Sequence, residues 1–189
     1  MNSRIALFGA AASIAMMPLA ASAERGDSGH LNIIYWQAPS ILNPYLSGGT
    51  KDVESSSIVL EPLARYNENG ELVAWLAEEI PTVENGGVSE DLMSITWTLT
   101  EGLLWSDGTP VTSADVAFTA EYCMHPEGGC AQAARFQDVD RVEIVDDRTV
   151  TVHFSVPKPV PYGPFVTAQG PIIQAAQFAD CLGARAPEC

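Results

Sequence analysis

Positive charge is scarce in this 189-residue sequence. Nine Lys and Arg stand against 24 Asp and Glu, a formal net charge of −15 at pH 7. Such a surface repels phosphate backbones and anionic headgroups, so nucleic acid and the membrane surface are set aside as partners. A cationic solute would be attracted over long range, but the same charge suits any soluble acidic domain. The motifs of common catalysis are missing too. There is no Gly-x-Ser-x-Gly, no His-Glu-x-x-His and no Gly-x4-Gly-Lys-Ser/Thr. His30, His125 and His153 are scattered and form no evident nucleophile–base pair. Carboxylate pairs such as Glu78-Glu79 and Asp146-Asp147 read as solvated faces or turns. Without a phosphate loop, any ATP hydrolysis falls to a partner. Binding rather than catalysis is the expected activity, with no cofactor. Internal repeats and low-complexity tracts are absent as well.

Long apolar runs are confined to the first residues. Arg4 supplies a positive start, Ile5 to Ala15 an apolar stretch, and Ala21-Ser22-Ala23 a small-x-small pattern. Together they read as a secretory signal peptide over residues 1–23, cleaved before Glu24. A membrane anchor is the alternative, but the run is short of the roughly 20 residues a span needs, and Pro18 interrupts it. No Cys follows the cleavage site, so nothing supports a lipid anchor. The expected location is the periplasm. Removing this segment, whose one charge is Arg4, leaves the remainder one unit more acidic.

All four cysteines, Cys123, Cys130, Cys181 and Cys189, lie beyond the cleavage site. An even count behind a signal peptide points to disulfides, with three connectivities open. Local pairing, Cys123 with Cys130 and Cys181 with Cys189, closes two short Gly-containing loops. Each such bridge stabilises by roughly 2–3 kcal/mol in the chain-entropy account. The rival is a metal site from Cys123, His125 and Cys130. Its spacing is not a standard zinc pattern, and an oxidising compartment favours disulfides.

The stretch around which the chain is organised runs from Ser94 to Tyr122. Met93, Ile95, Trp97 and Leu99 alternate with Ser94, Thr96 and Thr98, the period of a half-buried strand. Glu101-Gly102 is a turn, and Leu103-Leu104-Trp105 a short apolar run. Ser106-Asp107-Gly108-Thr109-Pro110 is a tighter turn. Thr112-Ser113-Ala114-Asp115 reads as a capping box opening a helix to Met124. Its apolar stripe is expected at Ala114, Ala117 or Phe118, and Ala120 or Cys123.

These residues, WSDGTPVTSADVAFTAEY after a strand ending in TLTEGLLW, resemble the signature of the family 5 periplasmic solute-binding proteins. That family serves ABC importers for oligopeptides, dipeptides, nickel and some sugars. Aromatic-x-Asp-Gly-x-Pro-Val-Thr-x-x-Asp-Val is a dozen ordered positions, which makes the match specific. One departure is Thr100, where the family usually has Arg or Lys. The resemblance implies an α/β fold, part of a two-lobed, type II-like periplasmic binding protein. A solute enters between the lobes, a hinge closes, and the closed form docks on an ABC permease in the inner membrane. It also places Gly48, Gly49 and Thr50 at the cleft edge, where main chain pairs with bound peptide. From the residues alone they form an ordinary Gly-containing loop. A small peptide is the leading solute. Nickel, haem-like and oligosaccharide ligands stay open, as does a secreted hydrolase with active residues beyond Cys189. The full-length protein is expected to be a monomer.

Elsewhere the patterns are local. Leu31 to Trp36 is apolar on both sides and suits a buried strand. A helix is expected from about Asp52 to Leu60. Strand, turn and a second short element follow over 63–76, and a polar loop over 82–91. Val142 to Val145 and Thr149 to Phe154 read as a hairpin, with His153 on its polar face. Pro157, Pro159, Pro161 and Pro164 mark an extended crossing segment. A short helix is expected near Gln174 to Phe178. The expected organisation is a main-lobe segment over 24–62, a mostly β inserted subdomain over 63–161, and a return to the main lobe over 162–189. Family members are longer and the tail is loop-like, so the sequence is expected to be the N-terminal part of a longer protein. N-terminal sequencing of the chain recovered from a periplasmic fraction should begin at Glu24; retention of Met1 in the cytoplasm would refute the export reading.

Overall fold

A computed structural model describes residues 29, 30 and 32–189. The expected signal peptide and Leu31 lie outside the described residues. The chain divides into a first unit ending at Ile34 and a second, Tyr35–Cys189. In chain order the elements are α1 (Thr50–Ser56), β1 (Ala64–Tyr66), β2 (Leu72–Ala74), β3 (Ser94–Thr98), α2 (Ser113–Met124), β4 (Val139–Ile144), β5 (Thr149–Phe154) and α3 (Ala175–Phe178). Single 3-10 turns lie at Ala133–Phe136, Ala179–Cys181 and Gly183–Glu188.

The alternation over 93–99 folds as expected. Ile95, Trp97 and Leu99 are buried, while Ser94, Thr96 and Thr98 are half-buried. β3 pairs antiparallel with β5, and β5 with β4, giving the order β3-β5-β4. Val150, Val152 and Phe154 of β5 add to the same buried face. His153 takes the other face and bonds Glu143 across the hairpin at 2.9 Å. β1 and β2 form a separate antiparallel hairpin, its turn held by Asn67 Oδ1 accepting from the amides of Asn69 and Glu71. The run at 103–105 makes only an isolated bridge, Leu104 to Pro110, across a turn in which Gly108 has φ 84°.

α2 starts as its sequence indicates. The Asp115 carboxylate reaches back to accept from the Thr112 amide at 2.9 Å. Its buried face meets the expected apolar stripe only in part, at Ala120 and Cys123. Ala114 is exposed and Ala117 and Phe118 are half-buried, whereas Ser113, Asp115, Val116, Thr119, Ala120, Tyr122 and Cys123 are buried. The cause is a set of long-range polar contacts. The Ser113 hydroxyl donates to the Asp146 carbonyl. Asp115 accepts from Trp105 Nε1 at 3.2 Å and from the Ala175 amide at 2.8 Å. Thr119 Oγ1 accepts from the Ile173 amide at 3.1 Å. Burial follows satisfied polar groups here, not apolar period alone.

Two further expectations are corrected. Residues 32–36 form no strand: Ile33 is 54% exposed, Ile34 100% and Trp36 71%. A segment apolar on both sides needs a ladder partner and two covering faces, and no element pairs with 32–36 among the described residues. The helix expected over about 52–60 is shifted to Thr50–Ser56. The hydroxyls of Ser56 and Ser57 bond back to the carbonyls of Val53 and Glu54 at its end, and β-branched Ile58-Val59 follows.

Segments 61–64 and 165–172 run side by side. Leu63 donates to the Phe165 carbonyl at 2.8 Å, Ile172 to that of Glu61 at 2.9 Å, and Thr167 to that of Ala64 at 2.9 Å. A Cβ at Gly170 would come within 2.8 Å of the Val166 amide nitrogen, so this crossing requires glycine. The cysteines pair locally, Cys123 with Cys130 and Cys181 with Cys189. The first bond consumes both thiolates of the metal alternative with His125. Asp115→Ala would strand four donors, the Thr112 amide and hydroxyl, Trp105 Nε1 and the Ala175 amide. Urea unfolding of the variant should show a loss of about 2–4 kcal/mol; a loss under about 0.5 kcal/mol would mean water replaces them all.

Candidate functional site

The loop containing Gly48, Gly49 and Thr50 hangs from a rigid anchor. Tyr45 is fully buried, and its hydroxyl donates to the Pro171 carbonyl at 2.6 Å. Burial raises that hydroxyl's pKa well above its usual value. Its ring packs against Tyr122 and Phe136, with centroids at 6.1 and 6.4 Å. Asn43 Nδ2 donates to the Tyr122 hydroxyl at 3.1 Å, and its Oδ1 accepts from the Tyr45 amide at 3.0 Å. The chain therefore enters the loop from a fixed direction.

Asp52 braces the loop from inside. This buried carboxylate accepts from the amide of Ser40 at 2.6 Å, the hydroxyl of Ser47 at 2.7 Å and the ammonium of Lys51 at 2.7 Å. The Lys51 bond, then those from Ser47 and Ser40, hold its carboxyl well below the usual carboxylate range. Ser47 Oγ in turn accepts from the Gly49 amide at 3.1 Å. Gln132 braces the loop from outside. This buried side chain donates to the carbonyls of Pro44 at 3.1 Å and Ser47 at 3.3 Å. The neighbouring Ala131 amide donates to the Tyr45 carbonyl at 2.8 Å.

Between these braces Gly48 and Thr50 are exposed and Gly49 half-buried. No bond from the Gly48 or Thr50 amide occurs among the described residues. A Cβ at Gly48 would meet nothing within 4 Å. The loop thus offers the Gly48 main chain and the Thr50 amide on a fixed frame, while the Gly49 amide is taken by Ser47 Oγ and its carbonyl by the amides of Asp52 and Val53. Such an edge can pair with an extended backbone whatever its side chains. Sequence reasoning singled out the glycines and missed Asp52, Ser47 and Gln132. An acidic residue three positions after Gly49 was a usable signal for Asp52. Nothing local announces Gln132, which lies 85 residues from Ser47.

The signature stretch has a different part. Asp107 closes its turn by accepting from the Thr109 hydroxyl and amide, and also accepts from Gln174 Nε2 at 2.8 Å. The Thr109 hydroxyl, then Gln174, depress its carboxyl to about 2. With Asp115 bonded to Ala175, the stretch ties the helix start to residues 174–175. Beside it lies an apolar groove of about 480 Å3, walled by Leu42, Leu60, Leu104, Trp105 and Phe178. No helix among the described residues is long and apolar enough to cross a membrane.

The family profile for bacterial extracellular solute-binding proteins, family 5 middle region, matches residues 71–184. A probable peptide ABC transporter periplasmic-binding protein of Sinorhizobium fredii, y4tO, is 39% identical over 99 residues, 51% of this chain and 18% of the relative. The chain therefore spans less than a fifth of that relative's length. Among solved structures, the binding protein AgaA of A. tumefaciens, in complex with agropinic acid, superposes with TM-score 0.66 at 26% identity over 75% of this chain and 28% of that one. Haemophilus influenzae OppA, in complex with the peptide RPPGFSPFR, superposes with TM-score 0.67 at 20% identity over 76% and 30%.

The Asp52 brace makes a pH prediction. Its folded pKa is depressed, so its contribution is present above the ordinary carboxylate value of 3.8 and is lost as pH falls below it. The melting-temperature gap between the parent chain and Asp52→Asn should be constant above about pH 5 and close progressively toward about pH 2. A gap that widens on acidification would show that Asp52 does not brace the loop as a carboxylate.

Proposed function

Because this chain belongs to the bacterial extracellular solute-binding proteins of family 5, we propose that it forms part of the binding component of an ABC importer, which takes up peptides in the periplasm and delivers them to a membrane permease. The observation that carries this reading is the signature from Trp105 to Val116, folded as turn and capped helix within the matched region. The role is binding, with ATP hydrolysed elsewhere. The y4tO relative, at 39% identity, supports a peptide as the solute. The exposed main chain of Gly48 and the Thr50 amide suit one, because peptides share a backbone and differ in side chains.

In this reading the whole protein is a two-lobed, type II-like monomer, exported by the segment 1–23. Residues 24–62 and 162–189 belong to the main lobe, and 63–161 to an inserted subdomain. The adjacency of 61–64 and 165–172 suits an insertion that leaves and returns at one place. Gly48, Gly49 and Thr50 supply one edge of the cleft. A second reading, a small non-peptide solute, is favoured by the likeness to AgaA with agropinic acid.

The energetics say what one edge can do. Each main-chain hydrogen bond is worth about 0.5–1.5 kcal/mol net of exchange with water. Three give at most about 4.5 kcal/mol, against at least about 4 kcal/mol for lost translational and rotational freedom. A micromolar complex needs about 8 kcal/mol. Desolvation by a second lobe must supply the difference. Calorimetric titration of residues 24–189 with a di- to pentapeptide library should therefore show no saturable binding in the micromolar range. Saturable binding there would place the whole site within this segment and refute the two-lobed reading. Mass spectrometry of ligand carried by the protein of the complete reading frame separates peptide from opine-like solute.

A further inference from the structure

We propose that Gln132, held in place by the Cys123–Cys130 disulfide, is the positioning residue that aims the main chain of the Gly48–Thr50 edge. The inference rests on the reading of that edge as a solute contact. Its starting point is the planarity of the peptide group. The Ser47 carbonyl and the Gly48 amide belong to one rigid plane and point to opposite sides of it. Gln132 Nε2 donates to the Ser47 carbonyl at 3.3 Å, which turns that oxygen inward. The Gly48 N–H must then face away from Gln132, on an exposed residue. The other Nε2 proton goes to the Pro44 carbonyl at 3.1 Å, fixing the plane that leads into Tyr45. One side chain thereby sets two peptide planes on either side of the anchor.

The loop needs such a device. Two consecutive glycines are the most freely rotating residues a chain has, and a Cβ at Gly48 would meet nothing within 4 Å. The inner brace, Ser47 Oγ to the Gly49 amide, fixes the following plane but not that of Gly48. Ordering an unbraced glycine pair at the moment of binding would subtract directly from affinity.

Gln132 is itself placed by the disulfide. Cys123 lies in the buried face of α2, and its bond to Cys130 closes a loop that turns at Gly128, whose amide donates to the His125 carbonyl at 3.0 Å. The Ala133 amide donates to the Cys130 carbonyl at 3.2 Å, and Gln132 caps the 3-10 turn that follows. Beside the Tyr122–Tyr45 ring contact, which anchors the loop's start, a second path from the core of α2 to the Gly48 peptide plane runs through one sulfur–sulfur bond and one amide side chain. Cys181–Cys189 has no part in this path.

The test is a set of backbone 15N order parameters and peptide affinities on the protein of the complete reading frame. Gln132→Met keeps the length of the side chain and removes both donors. Order parameters at Ser47, Gly48 and Gly49 should fall from the rigid range near 0.85 toward about 0.6. Peptide affinity should drop about tenfold, mostly through faster dissociation. C123S/C130S should reproduce both changes, and C181S/C189S neither. Unchanged order parameters in both Gln132→Met and C123S/C130S would overturn the proposal, as would an equal fall in C181S/C189S, which marks general loosening. Gly48→Pro, which deletes the amide, separates the two readings. If it leaves affinity untouched while Gln132→Met still loosens the loop, the contact reading fails and the positioning geometry stands.

Discussion

The structure depends on a helix whose buried face carries three bonded polar side chains among its apolar ones. Ser113, Asp115 and Thr119 of α2 all turn inward, and each is bonded to a segment far away in sequence: the β4–β5 turn, residues 105 and 175, and residue 173. A polar group taken from water without a partner costs more than most apolar contacts return, so each of these side chains dictates where its partner strand or loop must lie. The apolar residues then fill the space so defined. Trp97, Val150 and Val152 of the sheet and Ile172 and Ile173 of the tail join α2 in one buried cluster. Polar contacts set the relative position of the elements and apolar burial supplies the stabilisation.

From that helix the order passes to the candidate site through aromatic rings. Phe178, Tyr122, Tyr45, Phe136 and Phe165 form a continuous series with centroid separations between 5.5 and 6.4 Å. Tyr45 sits in its middle, and the loop to Gly48 starts three residues later. Phe165 adopts φ 60°, a conformation rare for a bulky residue, with its ring buried against Phe136 and its carbonyl bonded to Leu63. Its place in this series and in the crossing of segments 61–64 and 165–172 over-determines that geometry.

What the sequence made legible was local. The period-2 pattern gave β3 and β5, Asn67 to Glu71 and Asp146 to Arg148 gave the two hairpin turns, and Thr112 with Asp115 gave the start of α2. The pairing of neighbouring cysteines was legible for the same reason, since short loops close readily. The face of α2 was legible only at Ala120 and Cys123, because the rule that buries apolar residues has no term for a Thr that accepts from Ile173 across 54 residues. The state of 32–36 was not legible, since an apolar segment is a strand only if something pairs with it. At the candidate site the glycines stood out, and the residues that hold them did not. Glycines mark a loop through their own backbone freedom, whereas Gln132 acquires its part only once the fold has brought it to Ser47.

Under the proposed reading, that asymmetry follows from what a general peptide contact requires. An edge that must accept many side chains cannot carry large side chains of its own, so its rigidity has to come from outside the contact. Here it comes from Asp52 on one side and Gln132 on the other, both buried and both bonded to main chain or to Ser47. A brace that touches only main chain restricts the loop without narrowing what the loop can accept. Under the proposed reading, selectivity among solutes is set by surfaces other than this one, and the Gly48–Thr50 edge holds any extended backbone in a single register.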